Sequence, residues 1–301
     1  PAMVAPPPAP PAPATVGLAA PRQMPYEQAA AEPNTERYSA FEDNGITRAA
    51  EQPVSTFSID VDTGSYSNVR RLLAQGQLPP KDAVRVEEMI NYFDYGYARP
   101  ADRRQPFRVD TALAPAPWDD KRLLMRVGVQ GYDVDRSEIP ASNLVFLIDT
   151  SGSMADADKL PLLKESFRQL VPRLRAQDRV SIVVYAGSAG LVLAPTPGDR
   201  QDVILAALDR LEAGGSTNGG EGIDLAYATA QQAFIRGGVN RVVMATDGDF
   251  NVGIHDPRAL ETRVERGREA GIALTTLGFG QGNYNEALAE KLADVGDGNH
   301  A

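Results

Sequence analysis

The stretch Leu144-Val-Phe-Leu-Ile-Asp-Thr-Ser-Gly-Ser153 is an apolar run that ends in oxygen-bearing side chains. Consecutive apolar residues bounded by a polar turn predict a buried strand over 144–148. The turn gathers Asp149, Ser151 and Ser153 at the strand's C-terminal end. One carboxylate and two hydroxyls brought together there suit a hard cation, because Mg2+ takes oxygen ligands in a near-octahedral array at about 2.0–2.1 Å. Taken alone, the same residues are equally well explained as an ordinary strand-to-helix turn in which they cap the next helix.

Downstream, the pattern alternates. Leu160, Leu163, Phe167, Leu170 and Leu174 line one face of a helix, and further strands are predicted over 180–185, 191–194, 241–246 and 272–277. Helices are expected over 201–211, up to about 234, and over about 257–270. The turn 186–190 is too short for a crossover helix, so the strands it joins should be antiparallel. Near-continuous apolar strands separated by helices imply an α/β fold with a doubly wound, mostly parallel sheet covered on both faces. In an order 3-2-1-4-5 the first and fourth strands are neighbours at the switch point, where loops diverge and leave a crevice. That topology carries Asp149 and Asp247 to one place. Thr217 adds a hydroxyl from the loop 213–220, whose Gly214, Gly215, Gly219 and Gly220 permit close backbone approach. The metal set is therefore Asp149, Ser151, Ser153, Thr217 and Asp247. It is all oxygen, as Mg2+ or Mn2+ prefers, with Ca2+ the further alternative.

The region before 141 reads differently. Residues 1–53 form a Pro/Ala-rich linker, most concentrated in Pro6-Pro-Pro-Ala-Pro-Pro-Ala-Pro13, expected to be extended and disordered. A smaller α+β domain is expected over 54–140. Thr56-Phe-Ser-Ile-Asp-Val61 alternates as a strand, Asp62 or Thr63 caps a helix, and Asp82 caps a second one lined by Val84, Val86, Met89, Ile90 and Phe93. Phe107, Val109 and Leu113, then Leu123, Met125, Val127 and Val129, alternate along two strands of a hairpin on a small sheet. Asp62-Thr-Gly-Ser65 has the form of an aspartic-protease signature and Asp60-Val-Asp-Thr63 that of a phosphoryl-transfer loop. A second protease Asp, and the doubly wound sheet that the phosphatase needs on this strand, are missing from the pattern. The third domain spans 141–301.

Residues 141–301 resemble a von Willebrand factor type A domain, and Asp149-Thr-Ser-Gly-Ser153, Thr217 and Thr246-Asp-Gly248 match its metal-ion-dependent adhesion site. The resemblance implies that Ser151, Ser153 and Thr217 bind the metal directly, while Asp149 and Asp247 hold it through waters. It also implies a protein partner that supplies an Asp or Glu to the metal. Phe57-Ser-Ile-Asp-Val-Asp-Thr63 and Glu87-Glu-Met-Ile-Asn-Tyr-Phe93 are similar to the N-terminal region of bacterial envelope proteins that carry such a domain. The expectation is a metal-dependent interaction or adhesion module of the cell envelope, tethered upstream through the Pro-rich segment. The family pattern has one more strand and a helix that do not fit before Ala301, so strand 272–277 is expected to be an exposed edge. The sequence reads as a segment of a longer polypeptide.

Composition narrows the alternatives. A formal charge of -10, with no concentrated basic face, disfavours nucleic acid. The absence of cysteine removes thiolate chemistry and Cys-based metal sites, and the two histidines, His255 and His300, match no zinc or triad pattern. No stretch approaches the ~18 apolar residues that a membrane span needs. No catalytic residue is assigned: the metal loops show no general base, nucleophile partner or lysine. Glu221, Asp224, Asp156, Asp158 and Asp249 form an acidic rim expected to recruit the cation. Two other functions remain as alternatives, a Mg2+-dependent hydrolase or phosphatase and a scaffold whose metal only staples loops together.

Overall fold

The computed structural model describes residues 38, 45–56, 61–186, 188–214, 219–248, 257–280 and 286–301. Residues 57–60 of the expected strand 56–61, with Asp60 among them, His255, Asp249, Thr217, and residues 1–37 and 39–44 of the Pro/Ala-rich segment lie outside the described residues. The chain proceeds through helices α1 (Gly64–Ala74) and α2 (Val86–Asn91), then strands β1 (Phe107–Ala116) and β2 (Asp119–Gly131). It continues with β3 (Ser142–Asp149), α3 (Leu160–Leu170), β4 (Arg179–Ala186), β5 (Ser188–Pro197), α4 (Gln201–Asp209), α5 (Gly219–Gln232), β6 (Val239–Thr246), α6 (Pro257–Glu269), β7 (Ala273–Gly278) and α7 (Glu286–Val295).

Five strands form one sheet in the order β5-β4-β3-β6-β7, the 3-2-1-4-5 order expected. β3 is central and pairs in parallel with β4 and β6, β6 pairs in parallel with β7, and only β4–β5 is antiparallel. Successive β3 side chains enter opposite layers because strand side chains alternate. Phe146 and Ile148 pack with Leu163, Phe167, Ile182, Ile204 and Leu208 on the α3 and α4 side. Val145 and Leu147 pack with Val183, Ile223, Met244, Leu260 and Leu292 on the α5, α6 and α7 side. Each such fully buried aliphatic or aromatic side chain contributes roughly 1.5–3 kcal/mol relative to exposure. α3 ends where Pro172 tightens the chain into a short 3-10 turn over Val171–Arg173.

Two upstream expectations need correction. Of the two expected caps of α1, Asp62 and Thr63, the N-cap residue is Thr63, and it makes no side-chain cap hydrogen bond. The carboxylate of Glu88, 4% exposed, accepts from Ser65 N at 2.8 Å and brings negative charge to the helix N-terminus from a distant part of the chain. Asp82 lies in a 3-10 turn rather than capping α2, and Val86, Ile90 and Phe93 are exposed. The buried side of this short helix is Glu88, held by Arg85 at 3.1 Å, and Arg85 also makes a two-pronged pair with Glu290 of α7 at 2.8 and 3.0 Å.

The hairpin forms in the expected pairing, Val109 opposite Val129 and Leu113 opposite Met125, as a two-stranded sheet of its own. Its apolar face is not buried as a compact domain would require: Leu113 is 66% exposed and Leu123 71%.

The expectation of a bare β7 edge is also corrected. The chain after α7 turns back beside β7, where Leu274 N donates to Gly296 O at 2.9 Å and Thr276 N to Asn299 O at 3.0 Å. Ala301 N then donates to Thr276 O at 3.1 Å. Gly298 allows this approach, since a Cβ there would collide with the Leu274 backbone.

Candidate metal centre

The centre sits at the C-terminal ends of β3 and β6, where the sheet order reverses. Asp149, the last residue of β3, and Asp247, just after β6, are both 0% exposed. Asp149 Oδ1 accepts from Ser151 N at 2.8 Å, which folds the turn and brings the Ser151 and Ser153 hydroxyls within 3.0 Å of each other. Thr246 Oγ1 lies 3.4 Å from Asp149 Oδ2 and accepts from Gly248 N at 3.1 Å, so this hydroxyl links the two strand ends. Gly214 N donates to Thr150 O at 2.8 Å and thereby pins the start of the third loop against the first. The structure thus brings together Asp149, Ser151, Ser153 and Asp247, whereas Thr217 lies outside the described residues.

Electrostatics mark this spot as strained without a cation. Burial pushes the Asp149 carboxyl up to about 6, and the negative charge of Asp247 adds to the rise, against the pull of hydrogen bonds from Ser151. Tyr185 ends the adjacent part of β4 with its ring fully buried. Burial and the charge of the carboxylates hold its phenol well above the ordinary tyrosine range. Its hydroxyl lies near enough to Asp149 and Thr246 to interact with both, but with neither does it reach good hydrogen-bond geometry. An apolar strand pattern absorbs a terminal tyrosine, so sequence reasoning gave Tyr185 no role.

A second omission is a correction. The metal loops do contain a lysine: Lys159 is 5% exposed, and its Nζ donates to Ser153 O at 2.9 Å and to Asp247 Oδ2 at 3.1 Å. The sequence carried a signal for it. Lys159 stands four residues before Leu163 and eight before Phe167, in line with the buried stripe of α3, where a solvated lysine has no place. The acidic rim is also partly paired, with Asp224 bridged to Arg263 at 3.1 Å.

The donor chemistry fits a hard divalent cation. Among the described residues, two buried carboxylates lie at this spot, one of them paired to a buried ammonium, and the neighbouring hydroxyls add further oxygen donors. Among the described residues no group of three or more His, Cys, Asp or Glu side chains stands ready for a metal, so a site built from those residues would draw on the hydroxyls as well.

Comparison with known families identifies the domain that carries these loops. Residues 143–301 match the von Willebrand factor type A domain, and residues 32–126 match a second description, von Willebrand factor. The chain belongs to the von Willebrand factor type A family. It is 51% identical over 277 residues to YfbK of Escherichia coli strain K12, covering 90% of this chain and 48% of that protein. It is 30% identical over 185 residues to sll0103 of Synechocystis, covering 62% of this chain and 42% of that protein. The chain therefore spans about half the length, or less, of these von Willebrand factor type A relatives. The crystal structure of BatB from Bacteroides thetaiotaomicron superposes with a TM-score of 0.46 at 20% identity, over 54% of this chain and 89% of that one.

Proposed function

We propose that the chain is a metal-dependent protein interaction module of the bacterial cell envelope, with 141–301 as the binding domain, 54–140 as its α+β companion and 1–53 as a spacer. The observation that carries this reading is the pair of buried carboxylates, Asp149 and Asp247, converging beside the Ser151 and Ser153 hydroxyls at the switch point of the sheet. Ser151, Ser153 and Thr217 would hold Mg2+, or Mn2+ or Ca2+, directly, and Asp149 and Asp247 would do so through water. A divalent cation held mainly by neutral hydroxyls and waters keeps most of its charge and supplies a Lewis-acidic position for an Asp or Glu of the partner. Among the described residues no helix is long and apolar enough to cross a membrane, so an envelope location rests on a tether upstream and on the Pro/Ala-rich spacer.

Binding is favoured over hydrolysis by what surrounds the carboxylates. Lys159 is consumed by Ser153 O and Asp247, and the Tyr185 phenol is held protonated, which leaves neither as a general base. The test is a pull-down from envelope extract in Mg2+ and in EDTA, with wild type and Asp149→Ala in parallel. Capture is expected only by wild type in Mg2+. Capture that persists in EDTA, or that Asp149→Ala retains, overturns the metal-bridged reading.

A further inference from the structure

Burying an ammonium costs several kcal/mol unless it is paired and hydrogen-bonded. Lys159 meets that condition at one place, between the Ser153 carbonyl at 2.9 Å and the Asp247 carboxylate at 3.1 Å. Asp156, at 3.6 Å, carries a side chain 72% exposed and is too solvated to add much. The position is built in from the opposite side as well. Gly280 follows β7 with φ +84, and a Cβ there would land on the aliphatic stem of Lys159, so a residue without one keeps the channel for that stem open. The stem runs through this channel and delivers a fixed positive charge to the carboxylate of a metal-holding residue.

The geometry points to Lys159 as a tethered counter-cation: it holds Asp247 in the metal-free protein and, by its fixed charge, weakens the binding of divalent metal at this centre. The inference rests on the metal reading above. Among the described residues two buried carboxylates stand against one buried ammonium, so Lys159 offsets part of the negative charge of the metal-free centre and leaves it net negative. A divalent cation then turns the centre net positive. That surplus is the charge an acidic partner would neutralise, whereas without Lys159 the metal alone would balance the two carboxylates. The lysine therefore exchanges metal affinity for two things, a folded empty state and residual attraction for an anion.

The experiment is isothermal titration of the full chain with Mg2+ at low salt, joined to melting curves in EDTA and in saturating Mg2+, for wild type, Lys159→Met and Lys159→Arg. Lys159→Met should bind Mg2+ about tenfold or more tightly, as expected for removal of a like charge at close range in a partly desolvated site. It should melt lower than wild type in EDTA and recover most of that loss in Mg2+, and a variant unfolded in EDTA should fold when Mg2+ is added. Lys159→Arg, which keeps the charge, should bind within a fewfold of wild type. Binding by Lys159→Met that is equal to or weaker than wild type, an equal drop in melting temperature with and without Mg2+, or a chain unfolded in both conditions would mean a merely structural lysine and overturn the inference. If neither wild type nor Lys159→Met binds Mg2+, the metal reading falls with it. Binding by Lys159→Met alone supports both.

Discussion

The hairpin β1–β2 and the central strand β3 are both extended and rich in apolar side chains, and they meet opposite fates. β3 is a continuous apolar run, whereas the hairpin alternates apolar and polar residues. In β3, Val145, Leu147 and Ile148 are completely buried between two helical layers. In the hairpin, Phe107, Val109, Leu113, Leu123 and Met125 share one face, and each is more than half exposed. Periodicity states which side chains share a face. What covers that face depends on layers contributed by distant parts of the chain, and a two-stranded sheet by itself is marginal in water.

Four measurements break or sharpen this contrast. The largest effect is expected in the sheet: Leu147→Ala, at a site with no exposure, should cost about 2–5 kcal/mol in denaturant unfolding, through lost transfer energy plus a cavity. Next comes the ion pair that ties the upstream helices to α7. Arg85→Met leaves Glu88 and Glu290 facing a partly buried space without their cation and should cost about 1–3 kcal/mol. Sparing by the double variant Arg85→Met, Glu290→Leu would confirm that the loss is of pairing and not of packing.

A smaller effect should follow pH. His300 accepts or donates at 2.9 Å to Thr276 Oγ1 on the edge of β7. Burial lowers its pKa below the ordinary 6.5, with Arg85 adding to the fall and Glu290 opposing it. The unfolded chain then binds the proton more readily, so this contribution is fully present above about 6.5 and is lost as the pH falls through the folded-state value. His300→Gln should flatten that part of the stability profile, and a slope that His300→Gln leaves intact would assign it to other groups. The smallest effect belongs to the hairpin. Leu113→Ser should change unfolding free energy by no more than about 0.5 kcal/mol, the usual range for exposed positions. A loss several times larger would show that the face is covered in solution.

Much of the fold was legible before any coordinates, because buried parallel strands announce themselves as apolar runs and a connection too short for a helix forces β4 and β5 to be antiparallel, although the expected turn 186–190 proves shorter, with Ala186 already paired to Ser188. The convergence of Asp149 and Asp247 followed from strand order alone. Other features were hidden for physical reasons. Lys159 stands just before α3 in line with its apolar stripe, and only the folded chain shows its ammonium ending between Ser153 O and Asp247 with its stem against Gly280. Tyr185 looks like one more core residue of an apolar strand. The carboxylate at the start of α1 comes from Glu88, 23 residues from the Ser65 amide that it binds, beyond the range of any local capping rule. The strip 296–301 was missed because it is held by main-chain bonds, for which side-chain pattern gives no sign.

The adjacency of β3 and β6 has a kinetic consequence. Asp149 and Asp247 belong to neighbouring strands whose pairing closes a loop of nearly a hundred residues, from Leu144↔Arg241 to Ile148↔Ala245. Contacts of that sequence separation form late, since the chain must give up loop entropy before they reward it. If the proposed centre binds a cation, its two carboxylates converge only after this pairing, and metal uptake should then appear in refolding as a late phase whose rate reports when the central pair of strands has zipped.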